Sequence, residues 1–327
     1  MSDAAPPRVT LLIDSDGGVD DGLAIALAAH WVDPSDIILT SVFGNVPVAQ
    51  ATHNLSLIAS PVGLAGAVVW EGASTASDGF TIDATHVHGS DGLGGVTAAM
   101  PAHRTSTAPL DALLAKLRAW SNAHKFKLLG IGPATNIPRL IEAIGLANIE
   151  DVTLMAGSVF DTGNITVSAE FNLYNDPGAF NDVIASGART TIVPLDLCRK
   201  VVFERRNLAS LTKIGPVSDM LIPAHEFYMS KYLEWEGIDG CFPHDSIALL
   251  VSLFPHRFVT VGVEVEALTD QDHRGKLIVK RLSPDNRARA CLGGYLKQVR
   301  DLFNTGIMPY DFIKRFAEHP QGTRSHP

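Results

Sequence analysis

Four aspartates, Asp14, Asp16, Asp20 and Asp21, fall within one eight-residue stretch behind the apolar run Val9-Thr10-Leu11-Leu12-Ile13. Gly17 and Gly18 lie between the two pairs, and the following Gly22 to His30 is rich in Ala and Leu and reads as a helix. One or two Asp before a helix serve as N-cap and first-turn acids. Four on one short turn repel one another, and a fold keeps them only with something to neutralise them. A hard divalent cation, which takes several carboxylate oxygens, is the matching chemistry.

Other motifs test that reading. An EF-hand loop starting at Asp14 needs Gly at its sixth position and Glu at its twelfth; those positions hold Val19 and Ile25. A dinucleotide fingerprint needs Gly-x-Gly-x-x-Gly after the strand, and four aspartates would repel a pyrophosphate. A phosphatase with an Asp nucleophile after its first strand shares the Asp-x-Asp pattern and stays open on this motif alone.

Further polar groups follow other apolar runs. Asn45 ends Phe43-Gly44-Asn45, and Gly132-Pro133-Ala134-Thr135-Asn136 follows Ile131. Asn164 opens a stretch that closes on Glu170-Phe171-Asn172, and Pro243-His244-Asp245 opens an apolar helix. Singly each has an ordinary explanation as a turn former, an N-cap or an exposed strand pair. Together they suit a pocket that binds sugar hydroxyls around a metal.

The elements that must position these groups alternate. Strands are expected at 9–13, 37–43, 67–70, 126–131, 151–156 and 190–195, and helices near 19–30, 47–59, 108–121, 136–145 and 177–186. Asp176 as N-cap, Pro177 at the first helical position and Gly187 past the end mark the last of these. Such alternation predicts a Rossmann-like α/β fold, with a mainly parallel central sheet flanked by helices. Ligands then bind at the carboxyl ends of the strands. The last third is less regular: helices near 217–235 and 245–253, strands near 257–263 and 276–281, and a helical pair near 293–316. The Gly-rich segment from His86 to Gly95 reads as an ordered surface loop near a site. The tails 1–8 and 319–327 are expected to fray.

Composition narrows the class. The 327 residues are 46% hydrophobic and 19% charged, as in a soluble globular protein. A net charge of -9, without a basic run, argues against nucleic acid. Cys198, Cys241 and Cys291 form neither a disulfide framework nor a zinc pattern and suit the cytoplasm. The N-terminus lacks the apolar core of a signal peptide, and no run is long enough to span a membrane.

The chain resembles the inosine-uridine-preferring nucleoside hydrolases. The aspartate cluster matches that family's Asp-x-Asp-x-Gly-x-Asp-Asp signature, with the motif Gly at Gly18. His88-Gly89, Gly132-Pro133 with Thr135-Asn136, Met155-Ala156-Gly157, Glu170-Phe171-Asn172, Asp176-Pro177 and His244-Asp245 follow in the family's order, over about residues 9 to 255. The resemblance implies one nucleoside hydrolase domain over 1–327, forming a homodimer or homotetramer. It implies a calcium ion, Ca2+, held by Asp16, Asp21, Asp245 and the carbonyl of Ile131, where the family usually has Thr. It implies ribose binding by Asp20, Asn45, Asn164, Glu170 and Asn172, with His88 and Met155 also in the substrate pocket. His244 matches the leaving-group residue, and Tyr228 and Tyr232, one helical turn apart, match tyrosines near the base. Two positions depart from the family: Ala156, where Met-Gly-Gly is usual, and Glu236, where several relatives carry a basic or neutral residue.

The expected reaction is hydrolysis of a ribonucleoside's N-glycosidic bond to free base and ribose. The metal would orient a water, Asp16 would take its proton, and His244, with an ordinary pKa near neutrality, would protonate the base. The alternatives are the Asp-nucleophile phosphatase, a nucleoside- or ribose-binding protein without turnover, and a hydrolase narrowed to one base.

Overall fold

A computed structural model describes residues 8–64, 66–99, 105–120, 124–297 and 299–300. Its strands are β1 (Arg8–Ser15), β2 (Ile37–Ser41), β3 (Val68–Glu71), β4 (Ser106–Pro109), β5 (His124–Gly130), β6 (Ile149–Met155), β7 (Thr190–Val193), β8 (Phe203–Glu204), β9 (Gly240–Cys241), β10 (Phe258–Ala267), β11 (Leu277–Leu282) and β12 (Ala288–Gly294). The helices are α1 (Val19–Trp31), α2 (Val48–Ala59), α3 (Thr85–His88), α4 (Leu110–Ala119), α5 (Ile137–Ile144), α6 (Phe171–Asn175), α7 (Pro177–Ala185), α8 (Leu195–Cys198), α9 (Ser218–Glu236) and α10 (His244–Leu253).

Ten strands form one sheet in the order β11-β10-β12-β7-β6-β5-β1-β2-β3-β4. The pairs from β12 through β4 are parallel, and β10 runs antiparallel to both its neighbours. The sheet separates two apolar layers because strand side chains alternate. Leu11 and Ile13 of β1 face a layer with α1, α9 and α10, while Leu12 faces a layer with α4, α5 and α7. β5 and β6 divide the same way, Leu129 and Met155 to the first layer, Leu128 and Leu154 to the second. α1 is buried at every position from Val19 to Ala28, and beyond its first-turn acids Asp20 and Asp21 it is apolar all round through Ala28, as a helix held between other helices must be. Among the described residues no helix is long and apolar enough to cross a membrane.

The doubly wound architecture matches the sequence-based expectation, with differences at its margins. Arg8 is no tail residue: it opens β1, pairs with His124 and reaches Asp36. β4 is four residues long, ends in Pro109 and lies at the sheet edge, where proline is tolerated. β12 is not among the expected strands, and it overlaps the expected C-terminal helical pair only at Gly293 and Gly294; its Ala-Arg-Ala-Cys-Leu-Gly-Gly lacks the β-branched residues that announce a strand. Residues 296–297 and 299–300 are helical, as expected of that pair, while 298, 301–316 and 319–327 lie outside the described residues.

Candidate active site

β1 delivers its acids to two different places. Asp14, still within the strand, turns its Oδ1 to Thr40 Oγ1 at 2.5 Å and Asn136 Nδ2 at 2.8 Å. It ties β1 to β2 and to the turn after β5, and burial pushes its carboxyl up to about 7. The expected cluster of four therefore loses Asp14 to the framework. An Asp-nucleophile phosphatase would need that side chain open to substrate.

Asp16, one residue past the strand, accepts the backbone N–H of Asn45 on Oδ2 and the side-chain amide of Asn45 on Oδ1, both at 2.8 Å. This approach requires glycine at 44: a Cβ there would stand 2.1 Å from Asp16 Oδ2. Asp21 accepts Ser15 Oγ at 2.5 Å, Gly18 N at 2.9 Å and Asn45 Nδ2 at 3.2 Å. Gly18 is closed in likewise, since a Cβ would stand 2.4 Å from Asn45 Nδ2. Asp245 arrives from the first turn of α10. Carboxylate oxygens of Asp20, Asp21 and Asp245 lie within 4.8 Å of one another. This triple includes Asp20, which the sequence assigns to ribose. Asp16 reaches Asp21 from the side.

All four carboxyls are buried. Burial, then mutual repulsion, holds Asp16, Asp20 and Asp245 well above the usual carboxylate range, and burial raises Asp21. The basic group that reaches them is His88, whose Nδ1 stands 3.9 Å from Asp20 Oδ1. That nitrogen accepts the N–H of Val19 at 3.1 Å, and burial lowers the ring to about 3, so it brings no charge. Among the described residues the cluster has no neutralising cation, which fits a hard divalent ion.

Glu170 and Asn172 are not an exposed strand pair. Glu170 caps α6, accepting Asn172 N at 2.8 Å and Leu173 N at 2.9 Å, and also takes Gly157 N at 2.9 Å. Burial still pushes it up to about 7. Asn172 Nδ2 donates to the carbonyls of Ile131 at 3.2 Å and Met155 at 3.1 Å, drawing the ends of β5 and β6 to the site. Asn164 is exposed on the loop before α6, and its Oδ1 accepts Phe171 N at 2.9 Å.

These groups meet at one cleft. Asp20, Asn45, His88, Ile131, Met155, Asn164, Glu170, Asn172, Tyr228, Tyr232, His244 and Asp245 line it, while Asp16 and Asp21 lie beneath, bonded to Asn45. On the aromatic side, Tyr228 Oη lies 3.3 Å from Tyr232 Oη, which lies 3.1 Å from His244 Nε2. Burial pushes His244 down to about 3, which corrects the expectation of a ring titrating near neutrality. Its Nδ1 is buried without a hydrogen-bond partner among the described residues.

Ala84, His86, Val87, Ile165 and Phe171 also line the cleft. Sequence reasoning gave them no role: His86 and Val87 fall in the loop expected near a site and Phe171 in the Glu-Phe-Asn motif, while Ala84 and Ile165 carried no signal. Ala156 packs into the second apolar layer, away from the cleft, so its extra methyl leaves the pocket unchanged. Glu236 is exposed at the end of α9 and does not line the cleft.

The chain is 29% identical over 266 residues to uridine nucleosidase 1 of Arabidopsis thaliana, covering 79% of each. It is 30% identical over 277 residues to the pyrimidine-specific ribonucleoside hydrolase RihA of Photobacterium profundum, covering 83% of this chain and 88% of that one. Its fold matches the purine-preferring ribonucleoside hydrolase from Gardnerella vaginalis with a TM-score of 0.78 at 23% identity, over 90% of this chain and 97% of that one. The sequence profile described as inosine-uridine preferring nucleoside hydrolase matches residues 11–298, and the chain belongs to that family.

Proposed function

We propose that this nucleoside hydrolase cleaves the N-glycosidic bond of ribonucleosides with calcium in the carboxylate cluster and Asp16 as general base. The observation that carries the reading is the meeting of Asp20, Asp21 and Asp245 within 4.8 Å beneath a cleft lined by Asn, Glu and aromatic side chains. Asp16, Asp21, Asp245 and the Ile131 carbonyl would hold the ion. Bound there, calcium supplies the positive charge that orients a water and sugar hydroxyls and lowers the pKa of that water.

The chain's own groups do the rest. Asp16, held by one Asn45 bond on each oxygen, accepts the proton of the attacking water. Asp20, Asn45, Asn164, Glu170 and Asn172 bind the ribose, and these contacts strengthen as the sugar gains oxocarbenium character. Glu170 orients the pocket through backbone N–H groups of its own helix. The departing base takes a hydrogen bond or proton from the Tyr228–Tyr232–His244 chain, with His244 acting as a neutral ring.

Both sequence relatives are named for uridine or pyrimidine nucleosides, which makes uridine the first substrate to try. The test is reducing-sugar release from a panel of ribonucleosides, 2′-deoxyribonucleosides and 5′-nucleotides. Release of ribose from ribonucleosides supports the reading; binding of a nucleoside that stays intact would leave a binding protein.

A further inference from the structure

Two histidines flank Val87 in α3, and they are held differently. His88 is buried and committed, its Nδ1 bonded to Val19 N and its ring 4.8 Å from that of Tyr228. His86 is exposed, lines the cleft, and forms no hydrogen bond to any described residue. Its ring instead packs on Trp235, centroid to centroid 5.4 Å with the planes 40° apart.

Trp235 is itself unusual for a surface residue. It is 50% exposed near the end of α9, three residues after the cleft-lining Tyr232 and so on the same side of the helix. Lys231 Nζ stands 5.6 Å from the Trp235 ring and is paired to Glu234 at 3.0 Å. The indole therefore packs against a cation and an imidazole, and the imidazole belongs to a cleft-lining residue whose nitrogens bond no described residue. A neutral imidazole carries one donor and one acceptor. Nucleobase edges beyond the glycosidic nitrogen carry the complementary set.

We propose that His86 is a specificity-determining residue of the base subsite, hydrogen-bonding the polar edge of the nucleobase at the cleft's solvent end, with Trp235 as the positioning residue that orients it. The inference rests on the nucleoside hydrolase reading of this site. The carboxylates hold the sugar at the buried end, so His86 acts on the half of the substrate that differs between nucleosides.

The test uses His86→Phe, which keeps a ring against Trp235 but removes both nitrogens, and Trp235→Ala. Steady-state kcat and KM are measured on the ribonucleoside panel, with inhibition by free ribose, which occupies the sugar half alone, and a thermal melt. The His86→Phe variant should raise KM about 3- to 10-fold, the loss of one hydrogen bond. Its kcat should stay within about twofold, the pattern of lost uniform binding. Trp235→Ala should shift KM in the same direction by less. Ribose inhibition and the melting temperature should not move. Unchanged KM on every nucleoside turned over by the wild type overturns the role of His86 alone. Weakened ribose inhibition to the same degree as KM assigns it to site geometry and also overturns the proposal. A wild-type chain that releases ribose from no nucleoside overturns the hydrolase reading and this inference with it.

Discussion

One residue, Asn45, holds both oxygens of Asp16: its backbone N–H bonds Oδ2 and its side-chain amide bonds Oδ1, each at 2.8 Å. Asp16 is thereby fixed in rotation, with no freedom to swing toward another partner. A fixed carboxylate is what a general base needs, because proton transfer demands position first and pKa second. Asp16→Asn removes the proton acceptor and a charge from the cluster. It also sets an amide against the Asn45 amide, donor against donor. The expected outcome is a fall in kcat of at least about 10²-fold with the fold intact. Near-normal kcat would mean that another group activates the water.

The raised carboxyls give calcium a pH signature. Asp16, Asp20 and Asp245 sit above the ordinary carboxylate range when no ion is present, because burial and repulsion favour the protonated form. An ion needs them ionised, so its binding releases protons. Groups whose folded pKa is raised oppose folding increasingly as pH rises through and above their unfolded values. The metal-free protein thus carries a penalty at neutral pH that calcium in the proposed site would relieve. The melting-temperature gain from calcium should grow between pH 5 and pH 8, and metal analysis should find about one ion per chain. Full activity after exhaustive chelation would end the metal assignment.

The sugar half sets a second discrimination. Asn45, Glu170 and Asn172 are buried polar residues, and their lost partners are not replaced by water when a hydroxyl is missing. Sites of this kind reject the lacking analogue by up to about 10⁴–10⁵. Ribonucleosides should therefore far exceed 2′-deoxyribonucleosides in kcat/KM. Comparable values would remove these residues from the ribose site.

For the leaving group, His244→Ala should damage natural nucleosides far more than p-nitrophenyl riboside, whose phenolate departs unaided. Because burial keeps His244 neutral, in the proposed role it would act by donating an N–H or by relaying through Tyr232 Oη, 3.1 Å from Nε2. Tyr232→Phe should then reproduce part of the selective loss. An equal loss on both substrates in both variants would assign the chain to site geometry.

The sheet and the acids were legible in the sequence for one reason: strand periodicity and charge density are both local signals. The residues of the cleft were legible through motif order. What was not legible depended on direction. Asp14 and Asp16 differ by two positions and would share a strand face, yet Asp14 turns to Thr40 and Asn136 while Asp16 leaves the strand toward Asn45. Glu170 and Asn172 carry no helical pattern over so short an element, so the cap they form could not be read. His86 and Trp235 lie 149 positions apart and share no motif, and their contact exists only in three dimensions.

Burial makes one histidine outside the cleft a sensor of acid stability. His225 is fully buried on α9, with Nδ1 2.8 Å from the Leu221 carbonyl and Nε2 without a hydrogen-bond partner among the described residues. Its ring packs edge-on against Phe203 and Tyr228. Burial lowers its pKa from 6.5 to about 4, against the smaller raising effect of the Leu221 carbonyl. The unfolded chain therefore takes up this proton before the folded chain does. Above the unfolded pKa of about 6.5 neither state is protonated, and the full stability is present. As pH falls from there to about 4, the unfolded state is favoured by about 1.4 kcal/mol per pH unit, to a total of order 3 kcal/mol. His225→Phe keeps a ring of similar shape and loses the titration, at the cost of the bond to Leu221. Denaturant unfolding at pH 7 and pH 4.5 should show the variant somewhat weaker at pH 7 and losing less stability on acidification than the wild type, by about 2–3 kcal/mol. The buried rings of His88 and His244, both lowered to about 3, remain in each protein, and His225 is only a minor cause of the His88 shift. Identical losses between the two pH values would show that His225 gains its proton as easily folded as unfolded, through a local opening of α9.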